Sequence, residues 1–143
     1  MLRSFIAIEI PAEIQKKIMR ETADLRRLLD KPLIRWVPQE NIHLTMKFLG
    51  DVSPANLESL VHQLIPEIGK LPAIDISVRG LGAFPNHRRP RVVWIGVEAP
   101  KELDVISEVI ESVASRFGFA RETRPFSPHL TIGRVNQNAS GHD

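Results

Sequence analysis

Two stretches of this sequence repeat each other, and this internal repeat is the feature that most limits how the chain can fold. Residues 5–11 match residues 94–100 position by position, each position pairing similar side chains. The tripeptide His-Leu-Thr then occurs at residues 43–45 and again at residues 129–131. A short tripeptide can recur by chance, but two copies in the same order behind a matching stretch indicate a duplicated structural unit.

Each unit has the pattern of a strand, a helix, a loop and a second strand. The opening stretches are rich in Ile, Val, Phe and Trp, which favours strands. Pro11 and Pro100 follow these stretches, at positions where a helix can begin. The repeat therefore predicts one unit at about residues 3–50 and a second at about residues 91–135. Strands are expected at about residues 3–10, 42–49, 73–80, 91–98 and 128–135.

The mixture of strands and helices predicts an α+β fold. We expect one bilobal domain over residues 1–143, with two pseudo-symmetric lobes of antiparallel sheet and flanking helices around a central groove. The second lobe is expected to be shortened at its C-terminal end, because only the first unit continues into a further helix and strand. The fold is expected either to be truncated there or to be completed by exchange with a second copy, and the polar residues 136–143 are expected to form a frayed tail.

Composition excludes several classes of site. The chain has no cysteine, which rules out disulfides, thiol nucleophiles and cysteine-ligated zinc, and favours a reducing cytoplasm as its location. No apolar run approaches the ~18 residues of a membrane span, so no membrane partner is expected. The formal net charge of +2 is compatible with an anionic ligand without implying one.

Strand alternation assigns the side chains of each tripeptide to two faces. In the first copy Leu44, together with Ile42, Met46 and Phe48, is expected to face the core, while His43 and Thr45 share the other face. Their positions are separated by two residue rises, ~6–7 Å. In the second copy Leu130 and Ile132 are expected inside, with His129 and Thr131 outside. Twofold symmetry would bring the two polar pairs together in one pocket.

Two histidines and two threonines suit phosphodiester chemistry. One imidazole can take a proton from water while the other protonates a leaving oxygen, since histidine titrates near neutral pH. Threonine hydroxyls can donate to the non-bridging phosphate oxygens, where charge develops. No metal and no other cofactor is required, and two histidines alone make a poor zinc site. An isolated strand histidine is usually a surface residue, but duplication at equivalent positions favours a functional pair.

At these residues the sequence resembles the 2H phosphoesterase superfamily, which has paired His-x-Thr/Ser-x motifs. It is most similar to the RNA 2′,3′-cyclic phosphodiesterases, also known as 2′-5′ RNA ligases. The segments that carry the resemblance span nearly the whole chain: residues 3–8, 41–50, 82–85 and 128–135.

The resemblance implies metal-independent hydrolysis of RNA 2′,3′-cyclic phosphate ends, or of cyclic nucleotides, to 2′-phosphates, with reversible 2′-5′ ligation in some members. It implies that His43 protonates the leaving oxygen and that His129 activates water. Arg134 matches a family arginine that would contact the phosphate. Strict alternation would point it away from His129, unless a bulge at Gly133 redirects the strand.

Further residues are candidates for RNA contacts. Phe48, Phe84 and Trp94 are aromatic, and Phe84 is the candidate for stacking on a base, although strand aromatics more often belong to the core. The basic run at residues 87–91 could guide an RNA backbone or could be a solvated loop.

Two alternatives to a metal-free cyclic phosphodiesterase stay open. The first is an inactive RNA-end or nucleotide-binding module, whose activity is lost with the missing C-terminal elements. The second is a metal-dependent hydrolase with His43, His87 and His129 as ligands.

Overall fold

The computed structural model describes residues 1–29, 33–84, 91–98 and 101–136, with only the backbone described at Phe84. Strands and helices are mixed along these ranges. They are β1 (Leu2–Glu9), α1 (Ala12–Glu21), α2 (Ala23–Leu28), β2 (Ile34–Trp36), a short 3-10 turn (Gln39–Asn41), β3 (His43–Val52), α3 (Pro54–Gly69), β4 (Ser77–Phe84), β5 (Val92–Glu98), α4 (Lys101–Ser115) and β6 (His129–Val135).

The strands form one sheet in the order β1-β3-β6-β5-β4, with β2 paired to β6. Strand β6 is antiparallel to each of its partners β2, β3 and β5. The predicted α+β class with an antiparallel sheet is therefore confirmed. Two details differ from the prediction: the strand expected at about 73–80 lies at Ser77–Phe84, and Ile34–Trp36 forms a strand that the sequence analysis missed. Three residues are too few to show a strand period.

Two compact units can be distinguished by their internal contacts. The first contains residues 1–7, 45–77 and 98–128. Its core includes Leu60 of α3 with Val113 and Ala114 of α4, each at most 1% exposed. Helix α3 begins with a side-chain cap, since the Asn56 backbone N–H donates to Ser53 Oγ at 3.2 Å.

The second unit contains residues 8–44, 78–97 and 129–143, as far as these are described. Its most deeply buried side chains lie in or directly before the strands that carry the repeated tripeptides: Ile42, Leu44, Leu130 and Ile132. These units do not coincide with the repeat units predicted at residues 3–50 and 91–135, whose boundaries stay a prediction. The frayed tail was expected at residues 136–143, and residues 137–143 lie outside the described part.

Within the described ranges, no helix is both long enough and apolar enough to cross a bilayer.

Candidate active site

The two tripeptides meet on neighbouring strands. Leu44 of β3 lies opposite Leu130 of β6 in an antiparallel pair, and both side chains are fully buried. Antiparallel pairing then places His43, one residue before Leu44, opposite Thr131, one residue after Leu130. His129 precedes Thr131 by two residues and so shares its face of the sheet. Three of the four predicted polar residues are thus gathered on one face of the second unit.

The burial of the two tripeptide strands follows the same sequence of classes. From His43 and from His129 alike, six successive residues are half-buried, buried, half-buried, buried, buried and exposed. This is the burial expected if Leu44 and Leu130 face the core while both histidines and both threonines face away. Thr45 lies two residues beyond His43 on the same strand and is half-buried like it.

The alternation breaks at the fifth position, Lys47, and the prediction for Phe48, the sixth, is wrong. Phe48 was expected to face the core but is 69% exposed. Its neighbour Lys47 is buried instead, with 3% exposed. The Lys47 ammonium donates to both carboxylate oxygens of Glu111, at 2.9 and 3.1 Å, and to the Ala120 carbonyl at 2.9 Å. A buried charge is tolerated only when it is paired in this way. Lys47 thereby connects β3 with α4 and with the segment that follows α4.

A β-bulge interrupts β6 directly after Thr131. Against β5, Thr131 lies opposite Trp94 but Gly133 lies opposite Val93, so Ile132 is an extra residue on β6. The extra residue reverses the alternation, and Arg134 pairs with Val92. Because positions 92 and 94 share a face of β5, Arg134 lies on the face of Thr131. A bulge here is the condition under which the sequence turns Arg134 toward the face of His129, and the contact of Arg134 with phosphate stays a prediction.

An aromatic ring lies beside the second histidine. The Trp94 ring centroid is 6.2 Å from that of His129, with an angle of 56° between the planes. Two glycines make room for these rings: Gly96 lies opposite His129, and a Cβ at Gly82 would overlap the Trp94 indole. The contact between Trp94 and His129 was not predicted. Its signal in the sequence is the pair of glycines, since glycine inside a strand often marks a close approach.

The segment before His43 is fixed by a helix. The Gln15 amide of α1 donates to the Ile42 carbonyl at 2.8 Å. The Ile42 side chain is also fully buried. The hydrogen bond and the packed side chain together hold the backbone next to His43.

Some predicted residues cannot be placed. The Phe84 side chain and residues 87–90 of the basic run lie outside the described part of the chain, as does His87, the third histidine of the metal alternative. Among the side chains that are described, no group of three or more His, Asp or Glu residues is arranged to hold a metal ion.

The chain is similar to known proteins in both sequence and structure. A family model described as "LigT like Phosphoesterase" matches residues 8–94. The RNA 2′,3′-cyclic phosphodiesterase of Thermotoga maritima is 34% identical over 135 residues, which cover 94% of this chain and 70% of the relative. A crystal structure of E. coli LigT with 3′-AMP superposes with a TM-score of 0.73 at 34% identity, covering 92% of this chain and 72% of that one. For a Thermus thermophilus protein, TT0787, the TM-score is 0.80 at 26% identity, covering 94% and 75%.

Proposed function

The chain belongs to the family of LigT-like phosphoesterases, and we propose that it is a hydrolase that opens the 2′,3′-cyclic phosphate at the end of an RNA strand. The observation that carries the proposal is the pairing of Leu44 with Leu130. This register puts a histidine beside a threonine from the other tripeptide, with the second histidine on the same face. Support from the family comes from the activity named for its T. maritima relative.

In the proposed reaction, water attacks phosphorus and the bond from phosphorus to the ribose 3′-oxygen breaks. His129 takes the proton from the attacking water, and His43 gives a proton to the departing 3′-oxygen. The products are a 2′-phosphate and a 3′-hydroxyl. Because the two histidines exchange their protonation states in one turnover, a second proton transfer through solvent restores them.

Hydroxyl and guanidinium groups stabilise the charge that develops on phosphate. Thr45 and Thr131 donate to the non-bridging oxygens, and Arg134 adds a charge-assisted contact from the same face as Thr131. Donors that are held in position before the reaction lower the barrier most effectively. Phe84 is retained as the candidate for stacking on the terminal base.

Two finer features belong to the proposal. No metal takes part, because the two histidines supply both proton transfers and the hydroxyls supply the charge stabilisation. The same site can join RNA ends when the 5′-hydroxyl of a second strand takes the place of water, which yields a 2′-5′ linkage.

Turnover of a 2′,3′-cyclic nucleotide in the presence of EDTA tests this function. The wild-type chain should release a 2′-phosphate with EDTA present, and His43→Ala and His129→Ala should each lose at least ~100-fold in rate. The matched control is His62→Ala, since His62 is exposed on α3 and should leave the rate unchanged.

The other outcomes identify the alternatives. Binding of the cyclic nucleotide without any turnover would replace the proposal with a nucleotide-binding or RNA-end-binding module. Activity that EDTA abolishes and added metal restores would replace it with a metal-dependent hydrolase. A mass measurement in solution would show whether the chain forms the dimer that exchange with a second copy requires.

A further inference from the structure

Two arginines lie opposite each other beside the proposed site. Arg35 of β2 pairs with Arg134 of β6 in an antiparallel register, and both side chains are exposed. Residues directly opposite in such a pair have Cβ atoms ~4.5–5.5 Å apart. The two guanidinium groups therefore extend from neighbouring points of one surface.

The same surface carries His43, His129 and Thr131 of the two tripeptides. The bulge at Ile132 places Arg134 on the face of Thr131 and His129, and Arg35 shares that face because it is opposite Arg134. The neighbours of Arg35 agree with this orientation. A Cβ at Gly133 would meet Ile34 and Trp36 at 3.0 and 2.9 Å, so these two side chains lie on the opposite face.

The two like charges would be stabilised by an anionic partner. Like charges directly opposite on neighbouring strands destabilise a sheet. Within the described ranges, neither Arg35 nor Arg134 makes an ion pair with a carboxylate. An anion that lies between or across both guanidinium groups would remove the repulsion, and phosphate fits because arginine contacts it through two parallel hydrogen bonds.

We propose that Arg35 binds the phosphodiester on the 5′ side of the terminal nucleotide, together with Arg134, whose guanidinium group bridges that phosphate and the cyclic one. This inference rests on the proposed function, because it takes the cyclic phosphate to lie at His43, His129 and Thr131. Arg134 is three residues along β6 from Thr131, and Arg35 lies beside Arg134 on the next strand, one strand spacing, ~4.8 Å, to the side. A second phosphate of the same strand can reach this pair, whereas a cyclic mononucleotide has no such phosphate. Arg35 is thus a residue that selects RNA ends over free cyclic nucleotides.

The test compares two substrates with the same terminal nucleoside: a 2′,3′-cyclic mononucleotide and a tetranucleotide that ends in the same cyclic phosphate. Arg35→Ala should lower kcat/KM for the tetranucleotide about tenfold and change that for the mononucleotide less than about twofold. For the tetranucleotide, the dependence of log kcat/KM on log salt concentration should become shallower by ~0.7, the contribution of one contact to single-stranded phosphate. Arg35→Lys should retain part of the preference.

Arg20→Ala is the matched control, because Arg20 is an exposed arginine of α1 in the same unit. It should leave both substrates and the salt dependence unchanged. Equal losses for both substrates in Arg35→Ala, or no loss for either, would overturn the inference and leave the proposed function intact.

Failure of the proposed function is a separate result. If the wild-type chain turns over neither substrate, anisotropy of a labelled tetranucleotide with the cyclic end still measures the contact. Weaker binding and a shallower salt dependence in Arg35→Ala would then support the arginine site alone. An unchanged salt dependence would overturn it.

Discussion

The Trp94 indole lies against the His129 imidazole, with 6.2 Å between the ring centroids. The indole occupies the space above Gly82, where any Cβ would overlap it. The position of one proposed catalytic side chain therefore depends on a residue that has no side chain. Since the imidazole must be aligned with the attacking water, a displaced indole should slow the reaction as well as strain the fold.

Gly82→Ala should accordingly lower kcat by about tenfold or more, because the indole must move away from the new methyl group and the imidazole loses its neighbour. Steady-state kinetics with a 2′,3′-cyclic nucleotide would measure this, and near-ultraviolet circular dichroism would report the shift of the indole. Gly69→Ala is the control, since a Cβ there has no neighbour within 4 Å. Equal kcat values for the two variants would show that the indole does not position His129.

The buried ion pair of Lys47 should be a large determinant of stability. Lys47→Met leaves the Glu111 carboxylate buried beside the Ala120 carbonyl, and should cost ~3–5 kcal/mol of the free energy of unfolding, measured by urea denaturation. The double variant Lys47→Met/Glu111→Leu should regain most of this loss, because no uncompensated charge remains.

A surface ion pair provides the comparison for Lys47. Lys70 pairs with Glu67 at 3.3 Å, with 70% of the lysine side chain exposed. Lys70→Met should change stability by less than ~1 kcal/mol. If Lys47→Met were as mild, the buried pair would not be what holds the segment after α4 in place.

Gly133 is expected to control where Arg35 lies. A Cβ at this position would meet Trp36 at 2.9 Å and Ile34 at 3.0 Å, so Gly133→Ala should loosen the pairing of β2 with β6. The variant should lose preference for the tetranucleotide over the mononucleotide, as Arg35→Ala does, and should be less stable by ~1–3 kcal/mol. Kinetics with both substrates and a denaturation curve would check this. If the variant were destabilised but kept the full preference, the position of Arg35 would not depend on the pairing of β2 with β6.

How far the sequence predicts this site depends on the range of the interactions involved. Alternation along a strand is local, and it correctly assigned Leu44 and Leu130 to the core. The same rule failed at Phe48, because the burial alternation breaks where Lys47 finds Glu111, 64 residues away. Such a partner leaves no periodic signal near Lys47.

Register is the second kind of information that the sequence lacks. The repeat indicated that the two tripeptides are equivalent, but not that Leu44 pairs with Leu130. The contact of Trp94 with His129 and the pairing of Arg35 with Arg134 follow from strand registers. Glycines within the strands were the local signs, Gly133 of the bulge and the pair Gly82 and Gly96 of the Trp94 contact.

The division of roles between the two histidines can be tested with a substrate that needs only one of them. In a cyclic phosphate with sulfur in place of the ribose 3′-oxygen, the leaving thiolate departs without a proton, because a thiol is far more acidic than a ribose hydroxyl. The measurement is the rate of opening of this substrate by His43→Ala and His129→Ala, relative to the wild-type chain. The account predicts that His43→Ala regains most of the wild-type rate and that His129→Ala stays at least ~100-fold slower. Failure of the sulfur substrate to restore either variant would contradict general acid–base catalysis by this pair, and rescue of His129→Ala alone would reverse the two roles.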